Sequence, residues 1–210
     1  MKYILKANEN TPRTPEEIES MINEASVHYG NFLNVMGFDY SADRQTVDTP
    51  RRVAKAWLKD LVLGSISEAP SMTVFPNEEN YDGVVIQTGI PVVSMCAHHN
   101  LPFTGYASVA YVPGEKVVGL SKLNRVVDWF SRRPQMQESL TTQIHDYIAD
   151  KMVCDSVAVS IACKHTCCSH RGIKHGSVMT TNKFSGVFME KENLIREEFL
   201  HAIEVNGTKF

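Results

Sequence analysis

The chain has no large excess of charge of either sign. Its 21 Lys and Arg stand against 24 Asp and Glu, a net charge of -3 over 210 residues. Bulk attraction to nucleic acid or to an anionic membrane is therefore not expected, and any anion site must be built locally. Long apolar runs are also missing, and none approaches membrane-spanning length. The opening "MKYILKANENTPRTPEE" carries only a short apolar stretch before polar residues, which makes a poor export signal. No G-x-x-x-x-G-K-[ST] loop occurs, so phosphates would be held by side chains and not by a P-loop nest. Internal repeats and low-complexity segments are absent as well. Cysteine is scarce and odd in number, at 5, which reads as metal binding or reactive thiols and not as a disulfide framework. The expectation is a cytoplasmic protein of a reducing compartment, with neither nucleic acid nor membrane as a partner.

What is present is ordinary globular material, with 43% apolar and 21% charged residues. That suffices for one large domain with a real core and an N-terminal helical extension. Thr14-Pro15-Glu16-Glu17 is a helix start with the elements of a capping box. Ile18, Ile22, Ala25, Tyr29, Leu33 and Met36 then recur at helical steps up to Gly37. Thr49-Pro50 repeats the start signal, and Gly64 reads as the stop of that second helix. After a turn-rich loop from residue 65, "VVIQTGIPVVSM" and "YASVAYVP" read as strands. Pro113-Gly114 reads as a hairpin turn with "KVVGLS" as the return strand. A helical stretch interrupted near Pro134, the β-branched run "SVAVSIACKH", the strand-like "SVMTTNKFSGVFM" and a closing helix follow. This order favours an α+β fold with an antiparallel sheet.

Two stretches carry the chemistry: "SMCAHHNLPF", residues 94–103, and "CKHTCCSHRG", residues 163–172. Thiolate and imidazole are good zinc ligands. Cys96 and His99 alone form a weak C-x-x-H signal. His165 and Cys167 strengthen it, because residues two apart on a strand share a face. Cys96, His99 and Cys167 make a three-ligand set with His98 and His165 beside it. Such a set with an open fourth position marks a catalytic zinc, whereas a fourth ligand from His165 or Cys168 would make a closed structural site. Spacing leaves both open. Cys163 has the same parity but lies deeper in the apolar run and reads as a small core residue. Arg132-Arg133 reads as solvated surface charge.

These motifs resemble the GTP cyclohydrolase I family. The resemblance runs from about residue 14 to residue 202 and rests on five ordered segments. They are Asp48 to Lys55, Cys96-Ala97-His98-His99, Gly119-Leu120-Ser121-Lys122, Gln135-Met136-Gln137-Glu138, and His165 through Cys167 to Arg171-Gly172. The resemblance implies a tunnelling fold: a four-stranded antiparallel sheet with two helices on one face. The helical arm would be residues 1–64 and the catalytic domain residues 65–210. It further implies Zn2+ held by Cys96, His99 and Cys167, with His98 and His165 as catalytic histidines and Ser121 near the ribose. Glu138 would bind guanine, Gln137 would be a further substrate-binding residue, and Lys122, Arg125 and Arg171 would hold the triphosphate, with Arg52 and Lys55 as weaker candidates. The implied reaction is hydrolysis of GTP to 7,8-dihydroneopterin triphosphate and formate. The implied assembly is a homodecamer with interfacial active sites. One departure is Ala97, where the family usually has an acidic residue able to tune a ligand or a histidine pKa. Two rivals stand beside this reading. One is a nitrile reductase of the same fold, using a cysteine nucleophile and NADPH. The other is a structural zinc module that binds a partner protein and would unfold on chelation.

Overall fold

The computed structural model describes residues 4, 6–152 and 154–207. Residues 1–3 and 5, part of the opening stretch read above as a poor export signal, lie outside the described residues. Helix α1 (Pro15–Val35) begins as its capping box dictates. The Thr14 hydroxyl accepts from the Glu17 N–H, and the Glu17 carboxylate accepts from the Thr14 N–H. Gly37, at φ +84°, turns the chain away beyond its C-terminus. Helix α2 (Thr49–Ala56) widens into a π-type turn at Trp57–Leu61 and is followed by the short α3 (Leu63–Ile66). Gly64 thus lies inside α3 and does not stop α2. A Cβ there would stand 1.9 Å from the Trp129 carbonyl oxygen, so the residue is glycine because two backbones touch.

The remaining elements are β1 (Val74–Pro76), β2 (Val85–Cys96), β3 (Pro102–Tyr111), β4 (Lys116–Val118), α4 (Leu120–Ser131), β5 (Pro134–Gln135), α5 (Gln137–Met152), β6 (Val157–His165), α6 (Thr166–Ser169), β7 (Val178–Phe184) and α7 (Leu194–Asn206). Strands β2, β3, β6 and β7 form consecutive antiparallel pairs, and α4 and α5 cover one face. This is the α+β tunnelling-fold arrangement. Two details differ from the sequence reading. The two-residue β5 adds a fifth strand, pairing parallel with Met95 and Cys96. Strand β4 does not return along β3 but pairs with β1, because both edges of β3 are already taken by β2 and β6.

Strand parity sorts the core. Phe103, Ala107, Val109 and Tyr111 of β3, with Val157, Val159, Ile161 and Cys163 of β6, face α4 and α5. Ala110 and Ala158 face the other way, where Phe188 and Phe199 of the C-terminal segment cover them. Cys163 is fully buried, as its place in the apolar run implies, and burial pushes its thiol up to about 12. Arg133 corrects the surface reading of Arg132-Arg133. Its guanidinium is buried, lies 3.9 Å from the centroid of the Trp129 ring, and donates to the carbonyls of Gly64 and Asn8. Burial alone draws its pKa down to about 10. Around this clamp, Thr11 and Arg13 donate backbone N–H bonds to Ser65 and Ile66. The N-terminal segment is therefore stitched across the expected boundary at residues 64 and 65.

Candidate metal centre and its surroundings

Strand β2 ends at Cys96, and β3 starts at Pro102. Between them the chain turns sharply. The Asn100 N–H donates to the Cys96 carbonyl, and Asn100 sits in the left-handed region at φ 52°. Asparagine tolerates that conformation. The turn brings His99 back over Cys96, with Nδ1 3.8 Å from Sγ. The third group arrives from β6. Cys167 does not reach the cluster by strand parity, because the strand stops at His165 and α6 follows at once. That single helical turn swings Cys167 toward Cys96. The ligand atoms of Cys96, His99 and Cys167 all lie within 4.8 Å of one another, and among the described residues they form the one such group. Two sulfurs at 2.3 Å and a nitrogen at 2.0 Å from a single ion stand within about 4 Å of each other. Less than about 1 Å of contraction would close the set on a metal. Burial and the neighbouring thiols of Cys96 and Cys168 push the Cys167 thiol up to about 11. A cation there would reverse that preference and hold the thiolates. The chemistry of the donors fits a metal ion.

His98 and His99 are both exposed on the turn, with ring centroids 6.3 Å apart. His165 ends β6 with its ring half-buried and stacked on Phe103, at 4.5 Å between centroids and 11° between planes. Its Nε2 lies 2.8 Å from Gln137 Oε1. Burial lowers the pKa of His165, and the charge of Glu138 works in the opposite direction. Glu138 is exposed at the start of α5, one residue beyond the fully buried Gln137. Arg171 is exposed on the loop that follows α6. These groups share one end of the sheet with the cluster. Phe103 is a residue the sequence reading passed over. Its only signal was its place at the end of the stretch "SMCAHHNLPF", after the histidine pair.

The remaining candidates lie elsewhere in the chain. Strand β3 runs from Pro102 at the cluster end to Tyr111 at the far end. The chain then passes through β4, whose Val118 N–H donates to the Tyr111 hydroxyl. Ser121 and Lys122 start α4 immediately afterwards, and Asn124 of the same turn meets Gln87 near the start of β2. At about 3.3 Å per residue along the strands, this places Ser121 and Lys122 about 25 Å from Cys96. The Lys122 ammonium rests on the Ser71 hydroxyl at 3.4 Å. Arg125, one turn further along α4, lines a groove with Glu68 and Asp128. On α2, Arg52 pairs with Asp48, and Lys55 is exposed near Glu19 of α1. A single chain therefore gathers the metal candidates, His98, His165, Gln137, Glu138 and Arg171 at one end, and leaves Ser121 and Lys122 at the other.

Comparison with known proteins bears on this arrangement. A family model described as GTP cyclohydrolase I matches residues 25–204. The chain is 36% identical to GTP cyclohydrolase 1 of Yersinia enterocolitica over 201 residues, covering 94% of this chain and 90% of that one. It is 38% identical to GTP cyclohydrolase 1 of Pectobacterium carotovorum over 178 residues, covering 84% and 80%. A solved apo structure of the archaeosine synthase QueF-Like aligns with a TM-score of 0.39 at 16% identity, over 48% of this chain and 93% of that one. On the breadth of the family match and of these relatives, the chain belongs to the GTP cyclohydrolase I family.

Proposed function

We propose that the chain is a zinc-dependent GTP cyclohydrolase I that hydrolyses GTP to 7,8-dihydroneopterin triphosphate and formate. The observation that carries this reading is the convergence of Cys96, His99 and Cys167 beside the half-buried His165, in a chain of this family. Two thiolates and one imidazole fit zinc better than they fit magnesium or calcium, which take oxygen donors. Zinc held by Cys96, His99 and Cys167 would supply an activated water near neutral pH.

The residues of this chain do the rest. C8 of guanine is a poor electrophile, and protonation of N7 raises its reactivity. His165 and His98 are the groups placed to move that proton, since imidazole titrates in the working range. The Glu138 carboxylate, exposed at the same end, suits the paired N1–H and N2–H donors of guanine in a bidentate contact. Arg171 supplies positive charge there for phosphate oxygens.

Ser121 and Lys122 belong to the same pocket only if a second copy brings the start of its α4 to the cluster end of the first. The separation within one chain supports a homo-oligomer with shared sites, and a toroid of ten subunits is the assembly we propose. In it Ser121 faces the ribose, and Lys122 and Arg125 hold phosphates from the neighbouring copy. Arg52 and Lys55, on the arm, are the outermost cationic candidates. The cytoplasm is the proposed setting, where free thiols and GTP coexist. Neither rival is favoured by the family match, which is to GTP cyclohydrolase I, as are the similar chains.

The test is incubation of the zinc-loaded protein with GTP, following formate and the fluorescence of the oxidised pterin. Replacing His165 by Ala should leave bound zinc in place and abolish formate release. Loss of zinc in that variant would move His165 into the ligand set and overturn the role given to it.

A further inference from the structure

The Gln137 side chain is 1% exposed, so substrate cannot reach it across the described surface. Its amide is instead fixed from every side. The Nε2 lies 2.9 Å from the Ile161 carbonyl, 3.0 Å from the Met179 carbonyl and 3.1 Å from the Thr181 hydroxyl, and its two hydrogens are shared among these three acceptors. Two of those partners are backbone oxygens, which only accept. A flipped amide would set Oε1 against both carbonyls and leave two buried acceptors facing a third. The hydroxyls settle the direction further. Thr141 donates to the Gln137 carbonyl at 2.9 Å, so it accepts in its 2.6 Å contact with Thr181. Thr181 therefore spends its proton on Thr141 and offers a lone pair to Gln137 Nε2. Every donor in this ring of contacts has one allowed sense, and Oε1 is left facing His165 Nε2 at 2.8 Å.

We infer that Gln137 is a positioning residue that holds the His165 ring in place and fixes its tautomer, with the hydrogen on Nε2 donated to the Gln137 amide oxygen. An amide oxygen only accepts, so the neutral ring facing it must carry its hydrogen on Nε2. Phe103, fully buried and stacked on the imidazole, prevents the ring from turning out of that contact. The pairing also follows from the fold. His165 shares the parity of Ile161 and Cys163, which face the helices, so the start of α5 lies over it. Glu138, one residue on, is exposed, so one helical turn carries both the buried partner of His165 and the carboxylate assigned to guanine.

This inference rests on the cyclohydrolase reading for its kinetic consequence but not for its geometry, and the experiment separates the two. Protein labelled with 15N-histidine and loaded with zinc is examined above the titration range of histidine, with His165→Ala identifying the signals. The expected spectrum of the unsubstituted protein shows His165 protonated on Nε2 alone. A Nδ1–H tautomer would overturn the inference, whether or not GTP is a substrate. Gln137→Leu should then populate both tautomers, retain one zinc per chain, and lower kcat for formate release about 10- to 100-fold with KM changed less than threefold. Gln137→Glu, whose protonated carboxyl retains an acceptor oxygen toward His165, should recover part of that loss. Full activity in the Leu variant, or a loss confined to KM, would also overturn the inference. Absence of formate release from the unsubstituted protein would sink the cyclohydrolase reading, while the spectrum would still decide the role of Gln137.

Discussion

If the active site is shared between two copies, two inactive variants should repair each other. His165→Ala damages the cluster end of the sheet, and Lys122→Ala damages the start of α4, about 25 Å away along strands that rise about 3.3 Å per residue. Each variant alone should release formate at a small fraction of the normal rate. In a mixture assembled from equal parts, a working site needs an intact cluster end from one chain and an intact α4 from its neighbour. Each condition is met half the time, so a head-to-tail ring should recover about one quarter of full activity. The assay is to unfold the two variants together, refold them with zinc, and measure formate release per chain. Simple mixing without exchange of subunits should recover nothing, which provides the control. Recovery close to zero after verified exchange would refute the shared site and require Ser121 and Lys122 to act within their own chain or not at all.

Three further outcomes follow from the geometry. Phe103→Leu keeps most of the core volume but removes the ring stacked on His165. It should cost about 1–2 kcal/mol, seen as a fall in Tm of about 2–8 °C, with zinc retained and formate release down about tenfold. A rate unchanged at that loss of stability would show that the stack does not hold the ring. Glu138→Gln removes the charge that opposes burial at His165, so the histidine pKa should fall further below its ordinary range. With His165 as the proton donor to N7, the basic limb of kcat/KM moves to lower pH, and a move to higher pH would contradict the assignment. Gly64→Ala should destabilise the protein by about 3 kcal/mol or more, because the new Cβ meets the Trp129 carbonyl at 1.9 Å. Denaturant titration with an unchanged midpoint would show that α3 and α4 have room to part.

Much of this was legible in the sequence because the signals were local. The capping box at Thr14 and Glu17 is complete within four residues, and the apolar alternation of β3 and β6 sorts their faces without help from elsewhere. Other features depend on distant partners. Nothing near Gly64 announces a carbonyl of α4 against it, so a stop and a close approach read alike. Pro113-Gly114 is a sound turn signal, yet β3 was already paired on both edges, and β4 found β1 instead. Arg133 reads as a surface cation because its burial depends on Trp129 and on carbonyls of the N-terminal segment. At the site, the cluster residues were visible as types and spacings. The route of Cys167, through a helical turn and not along the strand, was not. Gln137 shows the same limit: the motif singles it out, while its burial beneath β6 and β7 depends on tertiary packing.

On the proposed function, Cys96, His99 and Cys167 would hold one zinc ion. X-ray absorption at the zinc edge of the metal-loaded protein tests it most directly. The account predicts one zinc per chain with two sulfur neighbours at about 2.3 Å, one imidazole nitrogen at about 2.0 Å and one further light atom that exchanges with solvent. A third sulfur, or a second imidazole in place of that exchangeable atom, would contradict it.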